Sequence, residues 1–230
     1  MPANALLLFW ISTLILCIYG QAVAQSFSLG LGTSIGGIHW EYYDLQNYRE
    51  KQYEGLRAGL AFHAGLNHPL IGRLGCFSQL TWQSSGGRYA ANEESANYLF
   101  QGATAVRMTY LGLASGMYYT LINQGLQVNV QLAPRLDYLL TGASQPPLQA
   151  IRDGKGLNRI NWGITPGLTF GRRVGEGLLD LQLAYQHRFR RVVNLSPRIQ
   201  GQFEYGGAVA RDGNANILVQ YSWPLTPRRS

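Results

Sequence analysis

Residues 128–140, VNVQLAPRLDYLL, are the clearest indication of how this chain folds. The even positions are Val, Leu, Pro or Tyr, and the odd positions include Asn129, Gln131, Arg135 and Asp137. Successive side chains of a β-strand point to opposite faces. A period of two therefore predicts a strand with one apolar and one polar face.

The same alternation recurs along the chain, so that eight strands of roughly ten residues are predicted in all. The other segments are 27–42, 56–66, 79–83, 111–121, 160–170, 179–190 and 216–225. In the first of these, the Gly36-Gly37 pair shifts the parity of the apolar positions, as a β-bulge would. Pro134 and Pro166 each delete a backbone donor in mid-strand, which predicts a shared bulge or kink in their two strands.

The connections between these segments alternate in length. Four are long and polar (43–54, 85–106, 141–157 and 192–214), and three are short (67–73, 122–125 and 172–177). Short turns on one side and long loops on the other are typical of bacterial outer-membrane barrels. We therefore predict an all-β fold, an eight-stranded antiparallel up-and-down transmembrane β-barrel over residues 25–230. It would lie in the cell outer membrane with both termini in the periplasm, and its fourth long loop would either plug the barrel or extend the strands.

Composition favours a membrane barrel over a soluble, lipocalin-like ligand-binding barrel, which turns its apolar face inward. Of the 230 residues, 46% are hydrophobic and only 13% are charged, and the lysines, Lys51 and Lys155, lie in predicted loops. The polar face consists of small and amide side chains with a few arginines, which suits the filled lumen of an eight-stranded barrel. The soluble periplasmic barrel remains the alternative, because alternation alone does not fix which face points outward.

The amino-terminal segment predicts export. Residues 5–20 form an apolar run without a charge, and Ala22-Val23-Ala24 after it suits signal peptidase. We therefore predict a signal peptide over residues 1–24. The remaining chain has Cys76 as its single cysteine, and no Cys/His spacing resembles a metal site, so neither a disulfide nor a metal or other cofactor is expected.

Charged residues on the predicted lumen face form the main candidate cluster. Charges removed from bulk water need partners, and the arginine fork suits carboxylates. A lumen of this size is too narrow for an anion path. We therefore predict a structural ion-pair network of Arg57, Arg135, Asp137, Arg159, Asp180, Arg188 and Arg190.

His187 is the one candidate for catalysis. It lies on the apolar parity near the outer end of the seventh strand, where certain small barrels place a lipid A hydrolase triad. A histidine base needs a nucleophile such as serine beside it, and the following Arg188, Phe189 and Arg190 supply none. We therefore expect no enzymatic activity, and a small barrel enzyme acting on lipid A is the alternative.

The net charge of +7 indicates which partners the chain has. Arginines spread over turns, lumen and loops do not form the basic stripe of a nucleic-acid-binding protein. We therefore expect contacts with outer-membrane lipid and lipopolysaccharide phosphates, the candidates being the outer-loop residues Arg49, Arg88, Arg198 and Arg211.

Several short sequence motifs together resemble those of a known family. They are Tyr110-Leu111-Gly112-Leu113 before Tyr118-Tyr119, Ala133-Pro134, and Asn161-Trp162-Gly163 with Gly167. In these positions the chain is similar to the outer-membrane β-barrel domain of Bacteroidota often called PorT-like. The resemblance implies the same fold and location and no catalytic residues. One namesake takes part in a secretion and gliding apparatus, so the resemblance also implies a structural or interaction role with another envelope protein, through outer loops or turns. The carboxyl end departs from the pattern, because Trp223 is followed by seven further residues, Pro-Leu-Thr-Pro-Arg-Arg-Ser.

Overall fold

The computed structural model describes residues 26–43, 49–53, 56–88, 105–141, 156–195, 198–200, 203–205 and 207–225. The strands within these ranges are β1 Ser26–Tyr43, β2 Arg49–Tyr53, β3 Arg57–Ile71, β4 Leu74–Arg88, β5 Ala105–Gln124, β6 Leu126–Thr141, β7 Ile160–Val174, β8 Gly177–Arg188, β9 Val193–Leu195, β10 Arg198–Gln200, β11 Phe203–Tyr205 and β12 Gly207–Pro224. No helix in this part of the chain is long and apolar enough to cross a membrane. The predicted signal peptide lies outside the described residues.

Eight of these strands close into a barrel. They are antiparallel neighbours in the order β1, β3, β4, β5, β6, β7, β8 and β12, and β1 pairs with β12. The closing ladder runs unbroken from Ser26 opposite Pro224 to Tyr43 opposite Gly207. Closure gives each of the eight barrel strands two neighbours, so that the barrel has no unpaired edge in hydrocarbon. The prediction of an eight-stranded antiparallel barrel is confirmed.

The two ends of the barrel differ, and we call them the turn end and the loop end. At the turn end Gly72, Gly125 and Gly175 have φ of 60°, 70° and 59°, a region that glycine enters without steric cost. These residues join β3 to β4, β5 to β6, and β7 to β8. At the loop end β2 pairs with β1 and β9 pairs with β12. In its described residues, the fourth long connection therefore extends the sheet through β9, while β10 and β11 pair with each other in a separate two-stranded sheet.

The apolar face points outward. Leu132, Ile164 and Leu183 are 56%, 37% and 37% exposed, whereas their polar neighbours in sequence Gln131, Thr165 and Gln182 are buried. The prediction of apolar side chains outside and polar side chains inside is confirmed. A lipocalin-like barrel, which buries its apolar face around a ligand, is excluded.

Aromatic side chains collect at both margins of this apolar belt. Near the turn end the Phe27 and Trp223 rings stack with centroids 6.3 Å apart, and Tyr221 meets Trp223 edge-on at 4.6 Å. Near the loop end Trp162 and Phe189 lie 4.8 Å apart. Two such girdles are what a barrel shows where its surface passes through the lipid headgroups.

The predicted bulge at Gly36-Gly37 is absent. The register between β1 and β12 is continuous through both residues, and Ile38 is 2% exposed, on the same inward parity as Ser34 and Gly36. A Cβ on Gly36 would collide with Asn214 and Ser85. The glycine therefore makes room inside the barrel and does not shift the parity of the strand.

The prolines are also accommodated without the predicted shared bulge. The ladder between β6 and β7 continues through Pro134, opposite Ile164, and Pro166, opposite Leu132. The breaks lie on the far side of each strand, where the pairing skips residues 133–134 against β5 and 165–166 against β8. Each proline thus interrupts one ladder and leaves the register unchanged.

Candidate functional site

Charged side chains fill the loop-end half of the lumen. Arg188 is central: its Nε donates to Asp137 Oδ2 at 2.8 Å, and its Nη1 donates to Asp212 Oδ2 at 2.6 Å. Arg135 Nε donates to the other Asp137 oxygen at 2.6 Å. The Arg188 guanidinium also lies 4.1 Å from the ring centre of Tyr110. We call these five residues the ion cluster.

The ion cluster is electrically balanced and closed to solvent. It contains two arginines and two aspartates, and the side chains of its ion pairs are only 1–2% exposed. Buried charges are tolerated when each has an opposite charge in good hydrogen-bonding geometry. The ion cluster therefore acts as a plug across the lumen.

A layer of amide side chains lies next to the ion cluster. The Gln83 and Gln186 amides bond each other across the lumen, with Gln186 Nε2 2.9 Å from Gln83 Oε1. Asn216 Nδ2 also donates to Gln83 Oε1 at 2.9 Å, and the Asn214 amide lies 3.1 Å from Ser85 Oγ. These bonds join strands far apart in sequence, so they brace the barrel from inside.

The turn-end half of the lumen holds a cavity of about 360 Å³. Its wall includes Asp180, Gln220 and Asn129, and Arg173 and Glu176 also line it. Asp180 is buried there, and Gln220 Nε2 donates to its Oδ2 at 3.4 Å. We call this space the turn-end cavity.

The structure brings together only part of the predicted lumen network. Arg135, Asp137 and Arg188 meet in the ion cluster. Asp180 is eight residues from Arg188 on β8, about 26 Å along the strand, and lies in the other half of the lumen. Arg57 is half-buried, and Arg159 and Arg190 are exposed; none of these three lies in the ion cluster. They lie near the loop end, where the strands leave the packed lumen and a long side chain reaches solvent.

Asp212 and Tyr110 belong to the cluster, but sequence reasoning missed them. The sequence pattern predicts a loop over residues 192–214, whereas β12 begins at Gly207. The signal was present in the polar even positions that continue the inward parity of β12: Asp212, Asn214, Asn216, Gln220 and Ser222. Tyr110 is fully buried, and its even position shares the inward parity of Gly112 and Ala114, so the alternation of β5 carried the signal for it.

A second cavity opens in the barrel wall near the loop end. The pairing of β8 with β12 stops at His187 opposite Gly213, and a groove of about 470 Å³ lies there. His39 and Arg211 are cross-strand partners and also line it. The exposed His187 ring meets Phe189 edge-on at 5.1 Å. We call this space the wall groove; it combines basic side chains with an aromatic surface.

The other arginines predicted to meet lipopolysaccharide are only partly described. Arg211 is exposed, whereas the side chains of Arg49, Arg88 and Arg198 lie outside the described part. Arg159, Arg190 and Arg191 are further exposed arginines of the loop end. Among the described residues, no group of His, Cys, Asp and Glu is arranged to hold a metal ion.

Comparison with known proteins adds no family. No protein-family model matches the chain, and no curated protein matches it. Similar solved structures include the outer membrane protein AlkL in lipid bilayers (9% identity, TM-score 0.46, 89% of this chain and 93% of that chain), the outer membrane protease OmpT from Escherichia coli (9%, 0.43, 89% and 98%), and the attachment invasion locus protein Ail of Yersinia pestis (8%, 0.37, 85% and 98%).

The location follows from the surface of the chain itself. A closed antiparallel barrel with an apolar belt, an aromatic girdle at each margin and a polar interior is the architecture of outer-membrane barrels. The exposed leucines and isoleucines of the belt would be unfavourable in water. This chain is an outer-membrane β-barrel.

Proposed function

We propose that this barrel is a non-enzymatic, non-conducting envelope protein that binds lipopolysaccharide at its loop end and has a structural or interaction role there. The wall groove carries the proposal. It lies on the barrel wall beside the loop-end girdle, so its exposed basic side chains lie at the level of lipid headgroups.

The chemistry of the wall groove suits a phosphorylated lipid. Arg211 is exposed, and a guanidinium binds phosphate through two parallel hydrogen bonds. His39 lies opposite it on β1. Tyr185 and Phe189 give the groove an aromatic wall that continues into the apolar belt. A phosphate and an acyl chain of one lipid can therefore be held together.

Two features favour a binding role over transport or catalysis. The ion cluster closes the loop-end half of the lumen, which argues against a pore. The described residues that line the wall groove include no serine, threonine or cysteine to act as nucleophile beside His187. Membership of a secretion apparatus and contact with another envelope protein, which the PorT-like resemblance implies, stay predictions.

The test compares binding of lipid A with binding of dephosphorylated lipid A to the detergent-solubilised barrel. We expect the phosphorylated lipid to bind more tightly, and the double variant Arg211→Gln, His187→Gln to lose at least tenfold in affinity. The matched control is Arg172→Gln, Arg173→Gln, which removes two exposed charges at the turn end. Equal affinity for both lipids, or an equal loss in the control, would contradict the proposal. A change in lipid A mass upon expression would contradict the non-enzymatic part.

A further inference from the structure

The turn-end cavity contains a buried carboxylate that the ion cluster does not neutralise. Asp180 is 4% exposed, and among the described residues it forms no ion pair. Its Oδ1 atom has no hydrogen-bond partner within that part of the chain. A charge that is buried without an opposite charge destabilises the fold, so a bound cation would stabilise this carboxylate.

Gln220 adds a second acceptor at the same place. It is directly opposite Asp180 in the ladder between β12 and β8, and its Nε2 donates to Asp180 Oδ2. Because a carboxylate only accepts, the glutamine must present its nitrogen there. Its Oε1 is consequently left buried and without a partner among the described residues. Asp180 Oδ1 and Gln220 Oε1 are thus two buried acceptors, on adjacent strands, that need donors.

Space and access also favour a ligand. The cavity of about 360 Å³ lies within the range of small-molecule sites and is far larger than a bare ion requires. The Asp180 carboxylate lies over Gly171, where a Cβ would collide with Oδ1. The absence of a side chain at Gly171 therefore makes room for the Asp180 carboxylate. The lining beyond it is polar and contains Asn129, Thr169 and Ser222.

We propose that the turn-end cavity binds a small primary amine, whose ammonium group donates to Asp180 Oδ1 and Gln220 Oε1. An ammonium group neutralises the carboxylate, and its three N–H donors are enough for the two acceptors. The ligand enters past Arg173 and Glu176, whose opposite charges offset each other. This site is independent of the wall groove, which lies at the other end of the barrel.

The probe is 1,4-diaminobutane, titrated by calorimetry into the full chain in detergent. We expect saturable binding by the wild type, at least a tenfold loss in Asp180→Asn, and no loss in Glu41→Gln, which makes the same carboxylate-to-amide change at the other end of the barrel. The uncharged 1,4-butanediol should not bind. The diamine should also raise the unfolding temperature of the wild type and not that of Asp180→Asn, because it stabilises only the form that binds it.

Equal binding by Asp180→Asn, or no saturable binding by the wild type, would overturn the proposal. Binding of a lysine-containing peptide without binding of the diamine would assign the ammonium to a protein and would also overturn it. If Asp180→Asn fails to fold, Gln220→Leu replaces it, since it removes the second acceptor and leaves the carboxylate; unchanged affinity in that variant would count against the site.

Discussion

The two halves of the lumen handle buried carboxylates in opposite ways. In the loop-end half, Asp137 lies between Arg135 and Arg188, and both of its oxygens accept from an arginine. In the turn-end half, Asp180 is equally inward-facing, and the donor to its Oδ2 is the uncharged amide of Gln220. Both residues are nearly inaccessible, at 1% and 4% exposure.

This contrast separates a structural group from a candidate binding group. A buried charge with ideal partners holds its surroundings in place, whereas a buried charge without a partner costs stability unless something external neutralises it. The loop-end half therefore functions as a plug and brace. The turn-end half keeps a cavity and an unpaired acid, a combination that makes sense for binding and not for packing.

The largest expected effect comes from converting each acid to its amide. Asp137→Asn removes the charge that two arginines share, which leaves excess buried positive charge and should lower the free energy of unfolding by about 3–5 kcal/mol. Asp180→Asn, the matched control, removes an unpaired charge and should leave stability unchanged or higher. Urea unfolding in lipid vesicles measures both. Equal destabilisation would show that Asp180 has a partner of its own.

A smaller effect should follow from crowding each acid through the neighbouring glycine. A Cβ at Gly112 would meet Asp137 Oδ1 and the Arg135 guanidinium, and a Cβ at Gly171 would meet Asp180 Oδ1. Asp137 is fixed by two arginines, so Gly112→Ala should cost about 1–3 kcal/mol of overpacking strain. Asp180 can move into the cavity, so Gly171→Ala should cost less. The same unfolding assay compares them, and a larger cost at Gly171 would contradict the idea of a mobile Asp180.

The barrel could be predicted from sequence because its determinants are local. Alternation along a strand separates an apolar from a polar face, so the eight strands and the short turns follow from residue order. The outward direction of the apolar face follows from composition, because the polar face lacks the charges that a water-exposed surface needs. The bulge expected at Gly36-Gly37 was wrong because glycine has two uses in a sheet. It permits irregular backbone, and it also permits close approach, which is what Asn214 requires here.

The residues of the ion cluster were harder to predict, because they depend on which inward side chains lie at the same level along the barrel axis. Parity places a residue inside or outside, but it does not tell which inward residues lie at one level. Spacing along β8 already separates Asp180 from Arg188, but it does not tell which residue of another strand lies level with Arg188, as Asp212 does. Register between strands decides such pairs, and register is a property of the closed sheet.

The most direct test of a plugged loop-end half and an open turn-end half is to label inward-facing positions of β12 from each side of the membrane. Ser222 lines the turn-end cavity, whereas Asn214 lies in the amide layer next to the ion cluster, on the same face of the strand. In a Cys76→Ala background reconstituted in vesicles, Ser222→Cys and Asn214→Cys would be treated with a small charged methanethiosulfonate reagent from each side. We predict that Ser222→Cys reacts from the turn end only and that Asn214→Cys reacts from neither side. Reaction of Asn214→Cys from the loop end would contradict the plug, and an unreactive Ser222→Cys would contradict the open cavity.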